Sequence, residues 1–238
     1  MSGAARLTVP VYAAAGPAVR PVGEDVPVMD GPDDGELLDV LDAGGRPRAC
    51  KRRADVHRDG DWHRVFHCWV AGVGEGGPFV LLQRRGANKD VNPGRLDVSC
   101  AGHLAAGEAD ADGVRELAEE LGVHVEFGEL ATLGVVPEIA TGPGIVDREL
   151  CATYLLRSDA PLASYRPDPA EVAGVVRVGL AAFATLVSGD GIGAPGIELE
   201  AASRTERPVT VEPGQLVARP AGRYAWALRA IADRLSLF

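Results

Sequence analysis

Along most of the chain the apolar positions fall in short runs broken by glycine, proline and charge, which is the texture of strands and turns. Leu37 to Asp42 reads as a short strand closed by the Ala-Gly-Gly turn at 43–45. Val65 to Val73 and Phe79 to Gln83 read as two strands of a hairpin, and Leu96 to Leu104 as another strand. Asp112 to Leu121 changes period and predicts a helix, with Gly122 where a left-handed stop is expected. Strand character returns at Leu130 to Val136, at Leu150 to Leu156 and at Glu171 to Val178, followed by a short helix over Leu180 to Val187. Residues 188–214 are rich in Gly and Pro. Tyr224 to Leu237 then places Ala227, Leu228, Ile231 and Leu235 on one helical face. Lys51, Arg52 and Arg53 read as surface loop, and there is no internal repeat.

Before Glu36 the chain is rich in Pro, Gly and Asp and ends in Asp-Gly-Pro-Asp-Asp-Gly, so residues 1–35 are expected to be a flexible extension. The apolar patch from Val9 to Val19 is broken by Pro10, Gly16 and Pro17 and preceded only by Arg6, which does not make a signal peptide. Strands around a few helices indicate an α+β fold, a sandwich with a mixed sheet in one domain over residues 36–190. A C-terminal extension, 191–238, ends in a helix packed on that domain.

Composition excludes more than it selects. The chain has 238 residues, is 46% hydrophobic and has 34 acidic side chains against 24 Lys and Arg. No run reaches the roughly 18 apolar residues of a membrane span, and the net acidity does not suit a non-specific nucleic-acid binder. The cysteines Cys50, Cys68, Cys100 and Cys151 show neither a C-x-x-C pair nor zinc spacing, which fits reduced thiols in a cytoplasmic protein. The distribution of charge is more informative. Residues 96–150 carry 12 acidic and 2 basic groups, a net −10 that equals the charge of the whole chain. Residues 51–95, directly before, carry 9 basic and 5 acidic groups.

That acidic stretch contains the chemistry. On a helix Glu116, Glu119 and Glu120 share one face and repel one another, which a divalent cation with oxygen ligands would relieve. Leu117, Leu121 and Val123 can anchor the opposite side, and Arg115 can reach Glu119 or Glu108. An isolated E-x-x-E-E is more often a solvated acidic face. Here, however, Gly102, Glu108 and the run Arg115-Glu116-Leu117-Ala118-Glu119-Glu120-Leu121-Gly122-Val123 together resemble the Nudix box. The resemblance implies a loop–helix–loop in an α/β/α sandwich that binds Mg²⁺ or Mn²⁺ and cleaves a diphosphate linked to another moiety. It also implies that Glu116, Glu119 and Glu120 are metal ligands, with the Gly102 carbonyl joining them. Six residues separate Glu108 from Arg115 where the family pattern has seven, which weakens a role for Glu108.

Further segments resemble the isopentenyl-diphosphate-isomerase-like branch of that superfamily: residues 36–42, 57–64, Leu82-Gln-Arg-Arg85, Asn88-Lys-Asp90, Leu96-Asp-Val-Ser99, Asp147-Arg-Glu-Leu-Cys151 and residues 171–175. Isomerases of this branch use a Cys and a metal-bound carboxylate as an acid/base pair, with metal held by histidines and glutamates outside the helix. His63 and His103 stand where two of those histidines would be, Asp147 and Glu149 where two acids would be, and His57 one residue from a third. The isomerase cysteine, however, should directly precede Gly102-His103. That position is Ala101, and Cys100, one residue back, should face the other way on a strand. The complete Glu triad and the missing cysteine favour a Mg²⁺-dependent pyrophosphohydrolase acting on a nucleoside diphosphate derivative. An isomerase and a non-catalytic ligand-sensing domain are the alternatives.

In this reading Arg85, Lys89, Arg84 and His103 contact substrate; Arg84 and Arg85 should point in opposite directions, with Arg85 preferred. Glu149 is the first candidate for the general base, acting with Glu119 and Glu120, and Glu171 is the next. Trp62, Trp69, Tyr154 and Tyr165 are expected in the core rather than stacked on a base, and His67, His124 and Cys68 as fillers. The expected partner is a small-molecule diphosphate, without nucleic acid or membrane. A homodimer is left open, because the C-terminal helix could cover its own sheet or a partner's.

Overall fold

A computed structural model describes residues 20–21, 35–42, 44–89, 91–142 and 144–236. Most of the expected N-terminal extension, including the patch from Val9 to Val19, therefore lies outside the described residues. The strands are β1 (Arg20–Pro21), β2 (Leu37–Leu41), β3 (Pro47–Arg52), β4 (Trp62–Gly74), β5 (Gly77–Arg85), β6 (Leu96–Asp97), β7 (Cys100–His103), β8 (Ala131–Gly142), β9 (Ile145–Arg157), β10 (Val172–Gly179), β11 (Ala194–Glu200) and β12 (Glu206–Val211). The α-helices are α1 (Arg53–Asp59), α2 (Arg115–Leu121), α3 (Leu180–Ser188) and α4 (Arg223–Leu235). Among the described residues no helix is long and apolar enough to cross a membrane.

One mixed sheet runs β1-β8-β9-β4-β5-β10-β11-β12, with β2 on β4, β3 on β2, β6 on β5 and β7 on β4. The parallel pair β4–β9 lies at its centre and the other principal pairs are antiparallel. Alternation along the buried strands sends neighbouring residues to opposite faces. Leu81, Cys68 and Val175 join Leu117 and Leu121 of α2 in one core, while Leu82, Trp69 and Val176 join Phe183 of α3 and Ile231 of α4 in the other. Helices thus cover both faces of the sheet, and the molecule is an α/β/α sandwich. The face of α4 bearing Ala227, Leu228, Ile231 and Leu235 is buried on the chain's own sheet.

Several elements differ from expectation. The strand expected over Leu96 to Leu104 is two strands with a break at Val98–Ser99. There side chains replace ladder bonds: Asp97 Oδ1 accepts from Val98 N at 2.8 Å, while Ser99 Oγ donates to Leu81 O and accepts from Val70 N. Lys51 to Arg53 are not loop but the end of β3 and the first residue of α1, a helix with no clear periodic signal in its seven residues. The Gly- and Pro-rich stretch after residue 188 contains the hairpin β11–β12, which extends the sheet beside β10. Pro208 is tolerated because β12 is an edge strand, and Pro195 because it lies near the start of β11, beyond the pairing with β10.

The site follows from how β4 and β5 diverge. They pair only near their shared turn, from Ala71↔Val80 to Gly74↔Gly77. Beyond it, β4 pairs with β7 through Val65 to Cys68, and β5 pairs with β6 through Gln83 and Arg84. A cavity of about 1100 Å³ opens over this split, lined on its floor by Val65, His67, Ala101 and Gly102.

Candidate active site

Helix α2 directs its carboxylates into the cavity because its other side is anchored. Leu117 and Leu121 are fully buried, and Glu116 and Glu120, one residue earlier in each turn, line the cavity with Glu119. Gly122 ends the helix in the left-handed region at φ 66°, where a Cβ is costly. Glu120 accepts from Gln83 Nε2 and from Ala101 N, both at 3.1 Å. Burial pushes its carboxyl up to about 7 against the pull of Lys89, and burial likewise raises Glu116 to about 7 despite Arg115. Glu119 is the exposed member, held by Arg115 at 3.0 Å. A Cβ on Gly102 would lie 2.1 Å from the Glu116 carboxyl carbon, so only glycine lets strand β7 approach this carboxylate. Crowded, desolvated carboxylates with raised pKa values fit a divalent cation with oxygen ligands.

A second cluster reaches the same cavity through His57, His103, Asp147 and Glu149. His57 comes from the last turn of α1, His63 from β4 and His103 from β7; their ring centroids are 5.1, 5.3 and 5.2 Å apart. Asp147 Oδ1 of β9 lies 3.5 Å from His63 Nε2 and 3.8 Å from His57 Nε2. Those three atoms are buried without a hydrogen-bond partner. Burial lowers the imidazole pKa values, to about 3 for His57, and raises the carboxyls of Asp147 and Glu149. Neutral imidazoles and unpaired carboxylate oxygens converging on one point make a nitrogen- and oxygen-donor set suited to Mn²⁺ or another divalent transition metal. His57, one residue out of register in the sequence pattern, belongs to the cluster. Gly60, at φ 69°, ends α1 in the left-handed region.

The comparisons with known proteins give the family. The NUDIX domain family matches residues 61–191. A Clostridium acetobutylicum protein described as an uncharacterised Nudix hydrolase is 35% identical over 201 residues, covering 83% of this chain and 98% of that one. The chain belongs to the Nudix superfamily. An isopentenyl-diphosphate Delta-isomerase of Mycolicibacterium vanbaalenii is 32% identical over 148 residues, covering 61% of this chain and 78% of the relative. The resemblance thus reaches the isomerase-like branch. A crystal structure from Deinococcus radiodurans aligns at a TM-score of 0.48 and 22% identity, covering 65% of this chain and 90% of that one.

In this Nudix chain the remaining candidates divide between those the cavity collects and those it does not. Arg85, Lys89, His103, Asp147, Glu149 and Glu171 line it. Lys89 is ion-paired with Glu171 and lies 3.9 Å from Glu120, and Arg85 Nε donates to Val91 O at 3.0 Å. Arg84 is a correction: strand alternation turns it away from the cavity, onto the buried Glu198 of β11 and Gly94 O. Glu108 is also outside, bound to Arg115 at 3.0 Å and capping Ala105 N at 2.8 Å, so it orients the helix's arginine. Cys100 is buried in the core with Phe66 and Leu117, its thiol pushed up by burial and by Glu120, while Ala101 lines the cavity. His63 is fully buried, with Nδ1 3.2 Å from Asp61 O and its ring against its cluster partners. Trp69, Tyr154 and Tyr165 are core residues.

Sequence reasoning missed Gln83, which braces Glu120 from β5, and the group Asp97, Glu138, Arg219 and Arg223. A glutamine at a fully buried strand position was the available signal for the first. For the second, Asp97 falls in a segment that resembles the isomerase-like branch, but nothing local joins it to the others, which come from β8 and the chain's last 20 residues.

Proposed function

We propose that this chain is a divalent-cation-dependent pyrophosphohydrolase, cleaving a diphosphate linkage in a nucleoside diphosphate derivative or similar small molecule. One observation supports this reading above all: the complete glutamate triad lines the cavity beside Ala101, while Cys100, one residue back, is packed in the core. The position before Gly102-His103 therefore lacks the cysteine that the isomerase resemblance implies there, and the groups suited to phosphate remain. Glu116, Glu119 and Glu120 would hold Mg²⁺ or Mn²⁺. When bound, such a cation supplies neutralising charge to the diphosphate and makes nearby water easier to deprotonate. Arg85 and Lys89 orient the phosphates. Glu149, with a carboxyl raised by burial and then by Asp147, accepts a proton from the attacking water. Water oxygen joins one phosphorus, the P–O–P bridge breaks, and two phosphorylated products leave.

The histidine cluster favours a second reading, isomerisation of a prenyl diphosphate, since its donors match those implied by the isomerase resemblance and relatives carry that name. Phosphate release from a panel of nucleotide and prenyl diphosphates with Mg²⁺, using wild type, Glu120→Gln and Ala101→Cys, separates the two. The hydrolase reading expects release that Glu120→Gln abolishes. Double-bond migration in isopentenyl diphosphate without release from any substrate overturns it. Migration gained only in Ala101→Cys would identify residue 101 as the missing acid/base group. Metal binding with no turnover would favour a ligand sensor.

A further inference from the structure

Six residues join Glu108 to Arg115, one fewer than the family pattern, and the backbone reaches helix α2 across that shorter span by winding more tightly. Asp112 N donates to Ala109 O at 3.0 Å, Gly113 N to Asp110 O at 3.3 Å and Val114 N to Ala111 O at 3.4 Å, and Arg115 N then donates to Asp112 O. The centre of this run, Asp112–Val114, is a 3₁₀ turn. A 3₁₀ helix rises about 2.0 Å per residue against about 1.5 Å in an α-helix, so three residues gain about 1.5 Å, the rise of the missing one. Its hydrogen bonds are poorer, and two of these are long, so the turn needs support from outside.

Side chains that the pyrophosphohydrolase reading does not use supply that support. Tyr154 of β9 donates its hydroxyl to Asp110 Oδ2 at 3.0 Å, and Arg64 Nη1 of β4 lies 3.5 Å from Asp110 Oδ1. The other terminal nitrogen of Arg64 donates to Glu108 O and lies 3.7 Å from Asp39 of β2, whose Oδ2 accepts from Gly107 N at 3.0 Å. Gly113 is pressed onto β4, where a Cβ would lie 2.6 Å from the Phe66 ring. Fastened in this way, the turn presents Arg115 to Glu108 at 3.0 Å. Arg115 in turn holds Glu116 at 2.6 Å and Glu119 at 3.0 Å, and donates to His103 O at 3.0 Å.

We infer that Asp110 is a positioning residue for the metal-holding helix. With its carboxylate fastened by Tyr154, it fixes the 3₁₀ turn from which Arg115 orients Glu116 and Glu119, and the box works one residue short because of it. The inference rests on the pyrophosphohydrolase reading and adds to it a control of the triad from outside the cavity. Asp110, Tyr154 and Arg64 do not line that cavity, so Asp110 acts on the triad only through the backbone between it and Arg115. Of its two partners, Tyr154 matters more. The Asp110 side chain is 38% exposed and that of Arg64 25%, so water screens their ion pair. Tyr154 is 4% exposed and its ring is stacked on Phe66, which gives its hydroxyl a fixed direction. Removing a group that orients metal ligands costs about 10–100-fold in metal affinity.

The test measures Mg²⁺ binding without substrate, by calorimetry, and the Mg²⁺ concentration that half-activates cleavage of the best-cleaved diphosphate of the panel above. Asp110→Ala and Tyr154→Phe are made in the natural chain and in one with a single alanine inserted between Ala111 and Asp112. In the natural chain each should weaken Mg²⁺ about 10-fold or more on both measures, while kcat at saturating Mg²⁺ changes far less. Asp110→Asn, which keeps an acceptor for Tyr154, should recover most of the affinity. In the lengthened chain the helix is reached without overwinding, so Asp110→Ala should cost much less than in the natural one. An equal loss at both lengths, or a lower Tm with Mg²⁺ affinity unmoved, would overturn the positioning role. Should the lengthened chain not fold, Asp110→Asn decides, and a loss as large as that of Asp110→Ala would overturn it. Mg²⁺ binding that depends on Asp110, with no diphosphate cleaved, would keep the positioning role and overturn the hydrolase. Cleavage whose Mg²⁺ dependence ignores Asp110 and Tyr154 would do the reverse.

Discussion

The glutamate triad of α2 and residues of the histidine cluster line one cavity, yet the two sets are built in opposite ways. The triad comes from one helical segment, Glu116 to Glu120, and burial raises the carboxyls of its two buried members. The histidine cluster is assembled from α1, β4, β7 and β9, and its groups are neutral imidazoles beside buried carboxylates. Both are polar sets that burial would penalise without a partner ion. They differ in donor chemistry: oxygen ligands with an exposed member suit a hydrated Mg²⁺ shared with phosphates, whereas three nitrogens and a carboxylate suit a tighter transition-metal centre. In the proposed hydrolase reading the triad would hold an exchangeable cation and the histidine cluster a fixed one.

That division can be broken most directly by removing one ligand from each side. Glu120→Gln should reduce diphosphate cleavage by on the order of 10²–10³-fold while leaving a tightly held transition metal in place. His103→Gln should lower the tightly bound metal content by one equivalent. Metal analysis of the purified variants together with turnover in excess Mg²⁺ checks both; loss of the same metal in both variants would merge the two centres into one.

Titration sharpens the contrast further. In metal-free protein Glu116 and Glu120 sit at about 7 against an ordinary 4.5. The folded state therefore keeps protons that the unfolded chain releases, and stability falls as pH rises from 4.5 through 7. His57 runs the other way, lowered from 6.5 to about 3; its contribution is present above 6.5 and is lost as pH falls towards 3. Thermal melts in EDTA should show an alkaline decline that Glu116→Gln with Glu120→Gln flattens, and an acid limb that His57→Gln flattens. Added Mn²⁺ should raise Tm more at about pH 8 than at about pH 5, since protons compete for both ligand sets.

The smallest expected effect concerns the bracing of the triad. Gln83→Ala removes the 3.1 Å hydrogen bond to Glu120 and should weaken Mg²⁺ activation about 10–100-fold, with the histidine centre's metal content unchanged. An equal loss at both centres would mean that Gln83 supports the sheet rather than the carboxylate.

How far the sequence could be read follows the same divide. The box helix, its Gly122 stop, the α4 face and the strands from β4 to β10 show in period and turn chemistry, because each is set by neighbours within a few residues. Arg84 and Arg85 show the limit: alternation says that they diverge but not which one faces the cavity, and the structure turns Arg84 onto Glu198. The offset of His57 looked like a mismatch because no periodic signal marks α1. The hairpin β11–β12 was hidden by its glycines and prolines, which an edge strand tolerates.

By itself, the sequence determined the superfamily, the glutamate triad and the absence of a cysteine at residue 101, all of which depend on residue type and short spacing. Tertiary structure alone decided that three histidines and Asp147 converge, that Gly102 leaves room for Glu116, and that Arg219 returns from the chain's end to wall the cavity. Those facts depend on how β4 splays from β5 and where the strands cross. Local spacing carries no information about that, since contacts between distant segments are fixed by packing of the whole sheet.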